Sequence, residues 1–182
     1  VDGGPPEVLE LPAGSTTTHA IPVAAGAPLD AGASSHTLVL HRRSEWYDGT
    51  DSLVGLEVDA LLAPPSRPSR RIEFYGDSIT VGLGLDWTGS NDNTVNEHTN
   101  NYMAYGAMAA RSLGLEYHCQ AVSGIGLVGG WGQMSSLWDL ADPSDGTSLW
   151  DFSSWIPDVI VQNLGQNDQW QDTPTEEEAI QG

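Results

Sequence analysis

The sequence predicts an α/β fold: a parallel sheet with helices on both faces, preceded by part of a β-sandwich. Three observations predict it. Strand-like and helix-like segments alternate beyond residue 70. Short period-two segments separated by turns fill residues 1–63, and a proline-rich stretch at 64–69 divides the two patterns. The chain of 182 residues suits one medium domain or two small ones, and its 39% apolar content with seven tryptophans is sufficient for a packed core.

The elements follow in order. Residues 16–23 are rich in Thr and Val, 37–41 form a second strand-like run, and Leu56-Glu57-Val58-Asp59-Ala60-Leu61 alternates apolar with acidic. Gly26-Ala27-Pro28, Ala31-Gly32 and Tyr47-Asp48-Gly49-Thr50-Asp51 supply turns between them. So few strands make a partial sandwich, which we assign to 1–63. Pro64, Pro65 and Pro68 stiffen the linker at 64–69. The second domain, 70–182, opens with a strand at 71–75. A helix at 102–113 carries Tyr102, Met103, Ala107, Ala110 and Leu113 on one face, with Gly114 as its C-cap. A strand at 117–122, a short helix at 133–140 and a strand at 157–163 complete the alternation. Thr173 and Glu176 then have capping-box spacing around Pro174. The sequence stops about two turns into that helix. With three strands where a mean sheet has about five or six, the chain reads as a fragment with an incomplete sheet.

Charge narrows the function. Asp plus Glu number 25 against 6 basic residues, all arginine, for a net charge of −19. Such a chain repels phosphate backbones and anionic lipid surfaces, which excludes nucleic acid and membrane as expected partners and favours neutral polysaccharides or small esters. The longest aliphatic run, Val159-Ile160-Val161, is far too short to cross a bilayer. Val1 is not an initiator Met and no signal-peptide pattern follows it, so any signal peptide is removed or lies upstream. Cys119 is the single cysteine and has no internal disulfide partner. The acidic, lysine-free, Ser/Thr/Gly-rich composition points to secretion. Asn91-Asp92-Asn93 lacks the following Gly and distal Glu of a calcium loop, so no metal is expected.

In an open parallel sheet, ligands bind beyond the carboxyl ends of the strands. Those ends run into Gly76-Asp77-Ser78-Ile79-Thr80, Ser123-Gly124-Ile125-Gly126 and Gly165-Gln166-Asn167-Asp168. Together they supply most of what ester hydrolysis needs. Ser78 offers a hydroxyl nucleophile and its own N–H, Gly124 an unobstructed N–H, and Asn167 a side-chain amide. Three such donors around one oxygen make an oxyanion hole, each worth about 2.7–4 kcal/mol of barrier. Asp77 and Asp168 are read as residues that bond loop backbone and hold the turns. Each motif alone is common in turns; all three in order, each after a predicted strand, are specific.

These three stretches resemble blocks one, two and three of the SGNH (GDSL-like) hydrolases. Within that superfamily, the run from Arg71 through Thr80, Asn101-Tyr102-Met103-Ala104-Tyr105-Gly106-Ala107 and Ala121-Val122-Ser123-Gly124-Ile125-Gly126 resemble carbohydrate esterase family two. The likeness covers the whole chain and is most specific from 70 to 170. It implies a jelly-roll domain followed by an SGNH three-layer α/β/α domain. It also implies a cofactor-independent enzyme that removes O-acetyl groups from plant polysaccharides. Carried over, Ser78 is the nucleophile, and the N–H groups of Ser78 and Gly124 with Asn167 form the oxyanion hole; Gly126 is the rival of Gly124.

One part of the pattern is missing. The family's catalytic His lies in a later block, often Asp-x-x-His, and no His follows Asn167 here. A serine hydroxyl without a base is a poor nucleophile at neutral pH, so the chain alone is expected to be inactive and the base to come from elsewhere. His19, His36 and His41 fall in the β-rich part, and His118 is read as a core residue of its strand. His98, in the polar loop after the nucleophile, is the remaining candidate within the chain. Trp87 and Trp170 follow motif loops and are the candidates for stacking on sugar; packing is the default role of the other tryptophans. The rival readings are an SGNH esterase acting on other acyl esters and a non-catalytic carbohydrate-binding protein.

Overall fold

Arg71-Ile72-Glu73-Phe74-Tyr75-Gly76 forms strand β1 (Arg71–Gly76), and its period-two pattern sends Ile72 and Phe74 to one face, Glu73 and Tyr75 to the other. The computed structural model describes residues 4–12, 14–21, 35–89 and 92–169. They divide into two compact units, Val1–His41 with Asp51–Ser66, and Arg42–Thr50 with Arg67–Gly182.

The first unit contains no strand among its described residues. The expected strands at 37–41 and 56–61 run as irregular backbone, as does the first at 16–21, while residues 22–23 lie outside the described residues. Val39, Val54 and Leu61 stay exposed. Alternating sequence fixes which face a strand would bury, but a ladder needs a partner strand to complete each hydrogen bond, and no described segment here pairs with another. Residues 64–69 are exposed, without helix or strand.

The second unit differs from the sequence boundary in containing Arg42–Thr50. Its sheet has three parallel strands in the order β2-β1-β3, with β2 at Glu116–Ala121 and β3 at Val159–Asn163. β1 pairs Arg71 with Glu116 through Gly76 with Ala121 on one side, and Ile72 with Val159 through Gly76 with Asn163 on the other. Asp158 sets the second register: its carboxylate accepts the Arg71 N–H at 2.8 Å and its own N–H donates to the Arg71 carbonyl at 2.9 Å.

Parallel neighbours need a crossover, and between β1 and β2 it contains two helices, α1 (Ser78–Val81) and α2 (Tyr105–Leu113). The expected helix over 102–113 is shorter than predicted. Asn101–Met103 is a separate 3₁₀ turn and Ala104 is extended, so α2 buries Gly106, Ala107 and Ala110 while Met103 and Leu113 face solvent. Gly106 brings the helix onto the sheet, since a Cβ there would lie 3.1 Å from the Phe74 ring. Gly114, at φ 63°, ends the helix as expected. This face packs Ile72, Phe74 and Ala110 with Leu115, Tyr117 and Val161.

On the other face, His118 Nδ1 lies 2.7 Å from Glu73 Oε1 and its ring stacks on Trp150. Val122, Ile125 and Met134 gather Tyr75, Leu137 and Leu164. The helix expected at 133–140 is a single 3₁₀ turn, Met134–Ser136. The buried Gln120 amide draws the chain flat instead, donating to the carbonyls of Leu137 at 3.0 Å and Leu140 at 2.8 Å. The helix expected from Thr173 lies outside the described residues.

Candidate active site

With β1 between two parallel neighbours, the carboxyl ends of all three strands share one edge of the sheet, where open α/β sheets bind ligands. The loop after β1 comes first. A Cβ on Gly76 would sit 2.0 Å from Thr80 Oγ1, so glycine is what lets α1 fold back on the strand end. Asp77 is fully buried and caps α1, its carboxylate accepting the Ile79 N–H at 3.0 Å. Thr80 is buried with its hydroxyl 3.0 Å from that of Tyr105. Ser78, half-buried, is left at the first helical position, and neither its N–H nor its hydroxyl is bonded to a described residue.

After β2, the Val122 N–H extends the ladder to the Gly76 carbonyl at 3.1 Å. Gly124 follows at φ 80°, in the region that favours glycine, and its N–H is engaged by no described residue. The Gly126 N–H, in contrast, donates to the Gly132 carbonyl at 3.0 Å. The Trp131 ring lies over Gly124, 2.7 Å from where a Cβ would be, and Trp131 is 75% exposed.

The loop after β3 ties the other two together. Asn167 is buried, and its amide donates to the Ile125 carbonyl at 2.9 Å and to the Asp77 carboxylate at 3.3 Å. The buried Asp168 carboxylate receives the N–H groups of Leu127, Val128 and Gly129 at 3.0, 2.6 and 2.7 Å. Burial pushes the Asp168 carboxyl up, but these donors outweigh it and hold it below the usual carboxylate range. Asp77 goes the other way: burial raises it, its own hydrogen bonds offset only part of that, and the nearby Asp168 charge adds to the rise. Both aspartates hold turns, as expected from the sequence.

Comparison with known proteins is consistent across sequence and structure. No family model matches the chain. The cellulase/esterase CelE of Acetivibrio thermocellus is 36% identical over 175 residues, 92% of this chain and 20% of that protein. An acetylxylan esterase / glucomannan deacetylase of Cellvibrio japonicus is 32% identical over 145 residues, 73% of this chain and 39% of that one. A solved family two carbohydrate esterase from Clostridium thermocellum, in complex with cellohexaose, superposes with a TM-score of 0.62 at 34% identity, over 67% of this chain and 39% of that one. The chain is a relative of the family two carbohydrate esterases. It spans only 20% and 39% of the length of these two curated relatives.

The family two likeness bears on the remaining candidates. His98 ends the 3₁₀ segment Asp92–His98, and its ring makes no hydrogen bond or ion pair with the described residues, Ser78 included. Trp87 is half-buried and its ring N–H has no partner among the described residues. Trp170 lies outside the described residues. Among the described residues no group of three His, Cys, Asp or Glu is placed to hold a metal, and no helix is long and apolar enough to cross a membrane.

Two residues escaped the sequence reading. Trp131 reads as a packing residue because tryptophan usually packs, whereas glycines on either side of it, Gly129-Gly130 and Gly132, mark an exposed turn. Glu45 is 3% exposed, and its carboxylate accepts both the N–H of Ser123, at 3.1 Å, and the Ser123 hydroxyl. Burial raises the Glu45 carboxyl above its ordinary value, more than the bonds from Ser123 lower it. The one hint of it in sequence is the charged cluster Arg42, Arg43, Glu45 and Asp48, which begins between the strand read at 37–41 and the turn read at 47–51.

Proposed function

We propose that the protein carrying this chain is an SGNH serine esterase that removes O-acetyl groups from plant polysaccharides such as xylan and glucomannan. The observation that carries the reading is the pair of N–H groups, of Ser78 and Gly124, that no described residue engages, together with a Ser78 hydroxyl likewise unengaged by the described residues at the carboxyl end of β1. Ser78 Oγ attacks the acetyl carbonyl carbon, and the developing oxyanion takes those two N–H donors. The long 3.3 Å bond from Asn167 to Asp77 is the one exchanged for the oxyanion as third donor. The sugar hydroxyl leaves with a proton, and water then cleaves acetyl-Ser78 to acetate. Gly126 is not assigned to the hole because its N–H is already used.

The base is a histidine supplied from outside these residues, since the chain has none after His118 and His98 makes no bond to Ser78. The exposed Trp131 ring beside Gly124 provides a flat apolar surface for a sugar ring. Trp87 and Trp170 remain candidates for the same role. Relatives named as acetylxylan esterase and glucomannan deacetylase, and a neighbour holding cellohexaose, support a carbohydrate substrate. A polymeric substrate of this kind lies outside the cell, so we place the enzyme there.

Acetate released from acetylated xylan and glucomannan by the full-length protein, with Ser78→Ala as control, tests the reading. Release that vanishes in Ser78→Ala is expected. Glycan binding without release would leave a carbohydrate-binding protein. Release from lipid or small acyl esters alone would move the substrate class.

A further inference from the structure

We infer that Glu45 is a positioning residue of this site, holding the turn that presents the Gly124 N–H through its two bonds to Ser123. The inference rests on the esterase reading. Ser123 is the residue immediately before Gly124, and both of its polar hydrogens go to one carboxylate, the N–H to Oε2 and the hydroxyl to Oε1. A carboxylate is suited to this because it is acceptor-only and offers one oxygen to each donor. The peptide plane between Ser123 and Gly124 carries the Gly124 N–H, so fixing Ser123 fixes the direction of that donor.

Glu45 is itself firmly placed. Its N–H donates to Asp48 Oδ2 at 3.2 Å, and its carbonyl receives the Arg42 guanidinium. Next to it, Arg43 donates to the Thr99 carbonyl at 2.9 Å and pairs with Asp86 at 2.9 Å, while its own carbonyl accepts the Asn101 N–H at 3.1 Å. Asn100 closes this contact by donating to Asp86 at 2.7 Å and to the Gly82 carbonyl, at the end of α1, at 3.0 Å. Residues 42–50 therefore grip the loop that follows the nucleophile helix with Arg43 and the loop that follows β2 with Glu45. The segment belongs to the α/β unit although it lies before the proline-rich linker in sequence. Its position explains why Arg42-Arg43-Ser44-Glu45 reads as neither strand nor turn.

Glu45 touches no reacting atom in this scheme, so its loss is expected to lower kcat and leave KM nearly unchanged. The experiment uses the full-length protein and acetylated xylan, with kcat expressed per active site titrated by the acetyl-enzyme burst. Glu45→Ala is expected to lower kcat roughly ten- to a hundredfold, the scale of a small misplacement of a catalytic donor, with KM within about twofold. Glu45→Gln is isosteric and retains one acceptor, and it should restore part of that loss. Ser123→Ala should resemble Glu45→Ala in direction, and the double variant should lose no more than the worse single, because the two act as one unit.

Glu45→Ala with wild-type kcat per titrated site overturns the inference while leaving the esterase standing. Additive losses in the double variant overturn it as well, since Glu45 would then act apart from Ser123. A wild-type protein that releases no acetate brings down the esterase reading, and this inference with it.

Discussion

The amide nitrogen of Asn167 stands 3.3 Å from the carboxylate of Asp77, ninety residues earlier in the chain. The same nitrogen bonds the Ile125 carbonyl at 2.9 Å. One buried side chain thus joins the three loops that leave β1, β2 and β3, and the relative position of Ser78, Gly124 and Asn167 is set by hydrogen bonds more than by the short loops themselves. Asp168, the next residue, repeats the linkage by gathering three N–H groups of the loop after Gly126.

Asn167→Ala should therefore lose both stability and activity. It leaves the Ile125 carbonyl without its side-chain donor and strips Asp77 Oδ2 of its bond from Asn167, Oδ1 keeping the Ile79 N–H, a cost of about 1–3 kcal/mol. Losing the proposed third oxyanion donor should also lower kcat about 10²–10³-fold. Thermal unfolding and acetate release on the same preparation check the two effects. Full activity in a destabilised variant would remove Asn167 from the oxyanion hole.

Gly124→Ala tests the second loop. The new methyl would stand 2.7 Å from the Trp131 ring, on backbone at φ 80°. Holding an L-residue in that conformation costs roughly 1–2 kcal/mol, and displacing Trp131 disturbs the flat surface beside the nucleophile. Lower stability, lower kcat and a higher KM are expected together. A wild-type kcat and KM would show that the methyl is taken up without moving the Gly124 N–H or the adjoining ring, against the close approach of Trp131 to Gly124.

The α/β part of the fold was legible because its signals are local. Val159-Ile160-Val161, the Gly114 cap and the Gly76-Asp77-Ser78 turn each declare themselves within a few residues, and the strands and α2 fall within a few residues of their predicted limits. What failed depended on distant partners. Residues 133–140 have helical spacing, but Gln120 takes the carbonyls of Leu137 and Leu140. The alternating run at 56–61 has no strand to pair with among the described residues. The three residues proposed for the site, Ser78, Gly124 and Asn167, are readable as strand-end motifs. Glu45 was not, because its partner Ser123 lies 78 positions away and no period in the sequence relates them.

Asp168 gives the acid behaviour of the unit a direction. Its folded carboxyl lies below the ordinary value of 3.8, so its contribution is fully present above that value and is lost as pH falls through the folded one. Asp77, raised by burial, has the opposite sign: its contribution is present below its ordinary value and is lost as pH rises through the folded one. Asp168→Asn should be less stable than wild type at neutral pH, with the gap closing as both proteins are taken below about pH 4. Urea unfolding at a series of pH values measures it. A gap independent of pH would mean that the N–H groups of Leu127, Val128 and Gly129 do not depend on the charge.

Trp131 separates substrate binding from folding. With 75% of its surface exposed, the residue contributes little to the core, and Trp131→Ala should shift stability by no more than about 0.5 kcal/mol. Its ring nevertheless forms the wall beside Gly124, where a sugar ring carrying the acetyl group would lie against it. Aromatic contact of this kind is worth about 0.5–1.5 kcal/mol beyond the area covered, so the dissociation constant for a xylo- or cello-oligosaccharide should rise about three- to tenfold. Calorimetric titration of wild type and Trp131→Ala with the same oligosaccharide checks this, with Trp87→Ala as comparison. Unchanged affinity in Trp131→Ala together with weakened binding in Trp87→Ala would move the sugar platform to the loop after α1. Weakened binding in Trp131→Ala alone would fix it beside Gly124, on the side of the site where the oxyanion forms.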